Sequence, residues 1–244
     1  EPVKLGKSQK NVVDPESIIG SYGADTARLF MLSDSPPNRD LDWTDAGIEG
    51  AWRYANRLWR LINQPEKEFA GIAAEKPDAL SDAALATEKT IHLTIASVSN
   101  DLDKFHFNKA VARIRELTNS LDDLDPQQEG TAWVRRHGLE VAICLIGPMM
   151  PHLAEELWHN LGHETLLVDT AWPEADPALL VENSVTIAVQ VNGKLRGTLE
   201  LAKDSDNKST EEAALSLHNV TTAIGDKPIR KVIIVPNRIV NVVI

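Results

Sequence analysis

The 244 residues contain one cysteine, two tyrosines, four phenylalanines and three methionines, so little sulfur or phenol chemistry is available. The single Cys144 excludes an internal disulfide and any cysteine-based zinc site. It sits in the apolar run Ala142-Ile143-Cys144-Leu145-Ile146, where a buried, inert thiol is the default. No apolar run approaches a membrane span, and no secretory signal pattern is visible. No Gly-rich phosphate turn follows a strand, so a nucleotide-binding fold is not legible in this chain. Positive charge is also in short supply. With 25 Lys+Arg against 36 Asp+Glu the net charge is −11, which argues against a general nucleic-acid binder.

What is present divides by period. Asp14-Pro15-Glu16 reads as an N-cap, a first-turn proline and an early acid, opening a helix toward Ser33 that Gly20 and Gly23 divide in two. From Thr44 to about Leu161 the apolar spacing is helical. Five helices are expected, over about 45–61, 81–105, 108–121, 131–146 and 151–161. Short Pro-, Asp- and Gly-rich loops between them predict a helical bundle. Asp169 to Pro177 reads as a linker. The period then changes to two. Val185–Val191 and Lys194–Leu201 read as strands joined at Asn192-Gly193, a strong hairpin signal. Thr210–Leu217 reads as a helix with a Ser209 or Thr210 cap, and Ile229–Val235 and Ile239–Ile244 as two further strands. The fold class is therefore mainly α, a helical bundle followed by a small α+β domain in ββαββ order. The expected boundaries are 1–37, 38–168, a linker at 169–183, and 184–244.

The acidity is uneven. Residues 184–244 hold eight Lys+Arg and six Asp+Glu, so the tail is the more basic part of an acidic chain. That polarity is compatible with local contact to an RNA backbone. Arg53, Arg57 and Arg60 recur at helical spacing around Trp52 and Trp59, either as a phosphate-binding face or as a solvated one. The two-residue period places Lys194 and Arg196 on one face of a strand, and Arg230, Lys231 and Arg238 flank the second hairpin. The tryptophans read as core or as RNA-facing surface. His152, His159 and His163 invite a metal reading by spacing, but Gly162 interrupts the helix and no cysteine or well-spaced carboxylate completes a set, so no metal site is expected.

At the start stands Lys4-Leu5-Gly6-Lys7-Ser8, with Lys10 close behind. The run resembles the KMSKS loop of class I aminoacyl-tRNA synthetases, with Leu5 in place of Met and Gly6 in place of Ser. Tyr22-Gly23-Ala24-Asp25-Thr26-Ala27-Arg28-Leu29 resembles the segment that trails this loop in the leucine, isoleucine and valine enzymes. Ser33 to Pro37, Trp43 to Gly47, Glu49 to Arg53, Val189 to Gly197 and the terminus from Arg230 resemble the bacterial leucyl-tRNA synthetase family in particular. That family's His-x-Gly-His signature is absent. His159-Asn160-Leu161-Gly162-His163 has one residue too many and the wrong order, and reads as a helix end.

The resemblance implies a C-terminal piece of a larger synthetase, beginning at the KMSKS loop and inactive alone. It implies ATP contact by Lys7, Lys4 and Ser8, where the two lysines stabilise charge on the departing pyrophosphate. It implies tRNA contact by Arg53, Arg57, Arg60, Lys194, Arg196, Arg230, Lys231 and Arg238. For the whole enzyme it implies ATP with Mg2+, leucine and tRNA(Leu), a cytoplasmic location, no membrane and a monomer. An isoleucyl- or valyl-type synthetase, or a non-catalytic tRNA- or protein-binding module descended from a synthetase, are the alternatives.

Overall fold

The computed structural model describes Gly6 and residues 13–65, 68–180, 184–225 and 227–244. The chain divides into two units, Glu1–Leu180 and Val181–Ile244.

The first unit is helical. Helices α1 (Pro15–Tyr22) and α2 (Ala24–Ser33) meet at Gly23, whose φ of +85° suits a residue without Cβ. The Asp14 carboxylate accepts from the N–H groups of Glu16 and Ser17, which fixes the start of α1 as expected. Helix α3 (Asp45–Asn63) is capped by Thr44, whose hydroxyl accepts from the Gly47 N–H at 3.1 Å. Gly47 is required here for space: a Cβ would lie 2.4 Å from the Phe30 ring. Helices α4 (Asp82–Asp103), α5 (Phe107–Asp123), α6 (Thr131–Ile146) and α7 (Pro151–Asn160) complete the bundle. All five bundle helices lie where the apolar period placed them, and α7 ends before Gly162, whose φ is +96°. One continuous core runs through α2 to α7, with Leu29, Ile91, Ile114, Leu117, Leu145 and Leu157 essentially inaccessible.

Residues after α7 stay with this unit. The Glu155 carboxylate accepts from the N–H groups of Leu167 and Val168, which hold a single 3-10 turn, Leu167–Asp169. The expected linker then lies against α4. The Trp172 indole donates to the Ser99 hydroxyl at 2.8 Å, and the Asp176 N–H donates to the His92 Nδ1 at 3.0 Å.

The second unit is a four-stranded sheet in the order β2-β1-β4-β3, formed by β1 (Ser184–Val191), β2 (Lys194–Ala202), β3 (Lys231–Val235) and β4 (Ile239–Val243). Strands β1 and β4 pair in parallel, and β2 and β3 are the antiparallel edges. Asn192 and Gly193 have φ of +48° and +78°, the two left-handed residues of the hairpin turn that this dipeptide predicts. Two helices, α8 (Asn207–Ser216) and α9 (His218–Ile224), cover one face over Val189, Val191, Val240 and Val242.

The connection between the hairpins therefore holds two helices where the sequence predicts one. Leu217 takes an extended conformation between them, with ψ of 124°, and no Gly or Pro marks the break. Val220 of α9 is fully buried against the sheet, so tertiary burial accounts for this short helix. The cap of α8 is Asp206, whose carboxylate accepts from Lys208 and Ser209. Thr210 lies inside the helix and donates back to the Asp206 carbonyl. Those hydrogen bonds, from Ser209 above all, hold the Asp206 carboxyl below its usual range.

Candidate RNA-binding surface

The exposed face of α3 carries two kinds of side chain side by side. On one flank stand Trp52 and Trp59, 44% and 36% exposed although indoles usually bury. They border a cleft of about 450 Å³ that is closed across from them by Tyr22, Asp25 and His152. Asp25 fixes that far wall. Its carboxylate sits 3.0 Å from the His152 Nδ1 and accepts from the Leu153 N–H at 2.6 Å, joining the start of α2 to the start of α7. The other tryptophans have structural partners. Trp43 meets the Phe30 ring edge-on, Trp133 donates to the Ala74 carbonyl, and Trp158 is buried beneath His163.

On the other flank are the three predicted arginines, and the structure separates their roles. Arg53 pairs loosely with Glu49 at 3.7 Å, both side chains more than half exposed, an arrangement of little energetic consequence. Arg57 is anchored across the bundle, donating to the Asn119 side chain and, at 3.2 Å, to the Asp122 carboxylate on α5. It is therefore not the freely solvated residue that a surface charge run would suggest. Arg60 is exposed and has no ion pair among the described residues. Arg57 and Arg60 line a polar cavity of about 400 Å³ together with Gln64, Asp122 and Arg135.

Arg135 is a residue that sequence reading missed. It is 2% exposed, donates to the Leu121 carbonyl at 3.0 Å and lies 3.7 Å from Asp122. Its only sequence signal is the Arg135-Arg136 pair inside an otherwise apolar helix. Arg136 is equally structural, bound to Glu140 at 2.6 Å and to the Leu161 carbonyl at 2.7 Å. Glu140 also holds His163 at 2.8 Å. His152 and His163 are thus committed to different carboxylates, and among the described residues no group of three or more His, Cys, Asp or Glu is placed to hold a metal ion.

In the sheet unit the five predicted basic residues are all exposed. Strands β2 and β3 start at the same end of the sheet, which brings Lys194 and Arg196 to one corner and Arg230 and Lys231 to the other, with Arg238 at the far end of β3. The expected common face of Lys194 and Arg196 does not hold. The ladder pairs Gln190 with Leu195 and Val189 with Gly197, leaving Arg196 as the extra residue of a bulge, while Lys194 pairs with Val191. A bulge interrupts the two-residue period, and Gly197, directly after Arg196 inside the strand, is the local signal for it.

Lys4, Lys7, Ser8 and Lys10 lie outside the described residues. Cys144 is half-buried, and burial pushes its thiol up to about 11, so it is not a nucleophile at neutral pH. Among the described residues no helix is long and apolar enough to cross a membrane.

Known proteins resemble this chain along most of its length. The family model for the anticodon-binding domain of tRNA ligase matches residues 87–213, and that for class I tRNA synthetases (I, L, M and V) matches residues 1–44. The leucine–tRNA ligases of Paramagnetospirillum magneticum and Rhodospirillum rubrum are 63% and 53% identical over 241 residues, which is 99% of this chain and 28% of each relative. The chain thus spans little more than a quarter of the length of the curated relatives it matches. Among solved structures, the ternary complex of Agrobacterium radiobacter K84 agnB2 LeuRS with tRNA and LeuAMS superposes with a TM-score of 0.75 at 28% identity. It covers 98% of this chain and 30% of that one.

Proposed function

The chain belongs to the anticodon-binding domain family of tRNA ligases, and from that premise we propose that it is the tRNA-binding part of a leucyl-tRNA synthetase. The observation that carries this reading is 63% identity to a leucine–tRNA ligase across 99% of the chain, together with a fold shared with a synthetase solved in complex with tRNA.

The whole enzyme joins leucine to tRNA(Leu) in two steps. The leucine carboxylate attacks the α-phosphate of ATP, giving leucyl-adenylate as pyrophosphate leaves, and a hydroxyl of the terminal ribose of the tRNA then attacks the leucyl carbonyl and releases AMP. Lys4 and Lys7, with Ser8, meet the negative charge that builds on the leaving pyrophosphate. Mg2+ accompanies ATP in the whole enzyme, and among the described residues of this chain no group of three or more His, Cys, Asp or Glu is placed to hold it. The enzyme works in the cytoplasm as a monomer. Residues 1–37 connect the catalytic fold to the bundle, 38–168 approach the anticodon stem, 169–183 link, and 184–244 form the second tRNA-binding domain. Arg53, Arg57 and Arg60 face the tRNA backbone from the bundle, and Lys194, Arg196, Arg230, Lys231 and Arg238 from the sheet.

Leucine-dependent exchange of pyrophosphate into ATP, followed by charging of tRNA(Leu), tests the reading on the full gene product. Lys7→Ala is expected to slow exchange by about a hundredfold, as loss of one transition-state donor does. A full gene product that activates isoleucine or valine instead, or no amino acid at all, would overturn it.

A further inference from the structure

We propose that the cleft between Trp52 and Trp59 receives a single unstacked nucleobase of an RNA, while Arg53 and Arg60 hold the phosphates beside it. The proposal rests on the RNA-binding reading above and adds a specific ligand to it.

The two indoles are seven residues apart on α3, two turns on one face, so their backbones lie about 10 Å apart along the axis. Between them stands Ala55, whose methyl group leaves the floor of the cleft open. Nothing among the described residues fills this space. Both indoles remain more than a third exposed, and neither indole N–H has a hydrogen-bond partner among the described residues. Aromatic faces of this kind stack any of the four bases, because every base has a π-face.

The surroundings favour a nucleotide over an apolar peptide or a lipid. The occupant must combine a flat apolar ring with negative charge next to it. Arg60 has no carboxylate partner among the described residues, and the 3.7 Å Arg53–Glu49 contact is exposed enough to exchange for a phosphate. In a chain of net charge −11, such a local cationic ridge beside aromatic walls selects for an anion that carries a ring. The far wall supplies a polar edge. His152 is 80% exposed and its Nδ1 is turned to Asp25, which leaves Nε2 toward solvent for a hydrogen bond to a base. Asp25 is held on that wall by His152 and the Leu153 N–H.

Equilibrium binding by the full-length gene product separates base from backbone. Two RNAs are compared, unmodified tRNA(Leu) and a blunt duplex with no unpaired nucleotide. Trp52→Leu and Trp59→Leu are each expected to weaken tRNA binding about tenfold and to leave duplex binding unchanged. Arg60→Ala should weaken both alike and reduce the salt slope by about one. Ala55→Leu, which fills the cleft while keeping both indoles, should reproduce the tryptophan effect, so loss through unfolding is distinguished from loss of the site. Base-specific chemical probing of the bound tRNA should show one nucleotide protected by the wild type and reactive with Trp59→Leu. Equal losses on both RNAs, or none with any cleft variant, would sink the cleft proposal and leave the RNA-binding reading standing. A wild type that binds neither RNA would remove both.

Discussion

The helical unit and the sheet unit both expose arginine and lysine, but they hold them differently. In the bundle Arg57 is braced by Asn119 and Asp122, Arg135 by the Leu121 carbonyl, and Arg136 by Glu140 and Leu161. Glu88 and Asp101 are buried there with Lys76 and Arg113 as partners. Among the described residues of the sheet unit Thr210 is the one buried polar residue, and none of the five candidate RNA-binding cations has an ion pair with another described residue. The difference follows core size. A large core supplies enough apolar burial to offset desolvated charges that are well paired. A core of four β1 and β4 valines with Ile187, Ala214 and Val220 has no such margin and stays apolar. The lesson is that the bundle braces Arg57, Arg135 and Arg136 while leaving Arg53 and Arg60 loose, whereas among the described residues none of the sheet's five has an ion-pair brace.

The largest expected effect strikes the core of the bundle. Leu145→Ala removes a fully buried side chain and should cost about 3 kcal/mol, read from urea unfolding of the helical signal. An unchanged midpoint would contradict the continuity of that core. Val240→Ala should cost about 2 kcal/mol in the sheet unit. Because that unit has less to lose, amide exchange should rise throughout residues 184–244 while the bundle stays protected. Uniform acceleration in both units would break the comparison.

A pH effect sharpens it further. His92 and His137 pack against each other with Trp133, and burial is the main cause that holds both imidazoles below the ordinary histidine range. Lys76 also disfavours their charged forms, while Glu88 opposes the shift in both, with Asp176 in His92 and Glu140 in His137. A histidine kept neutral by folding lends its full stability above the unfolded value and loses it as pH falls through the lowered folded one. The bundle should therefore weaken from about pH 6.5 downward, and His137→Phe should reduce that loss. The sheet unit holds no buried histidine among the described residues, so this cause of weakening is confined to the bundle. Separate unfolding curves at several pH values would decide this.

The smallest effects are local. Ser81→Ala removes the cap that accepts from Ala84 and should cost about 1 kcal/mol. Gly193→Ala forces a Cβ into a left-handed position and should cost a similar amount, but as a larger share of the sheet unit's stability. Equal shifts in the two melting midpoints would contradict that reading.

The sequence by itself determined most of the elements. Apolar spacing placed α3 to α7, Asp14 and Thr44 marked helix starts, and Asn192-Gly193 marked the hairpin, because each signal acts within a few residues. The runs from Lys4 to Ser8 and from Tyr22 to Leu29 carried the family resemblance for the same local reason. Only the tertiary structure decided which cations are braced and which tryptophans stay open. Arg57 finds Asp122 65 positions away, Asp25 meets His152 across 127, and Val220 makes a helix by burial against strands on both sides of it in sequence. Local periodicity fixes which way a side chain points. It contains no information about what comes to stand opposite, and that partner sets whether a charge is fixed, a ring is covered, or a cleft remains for a ligand.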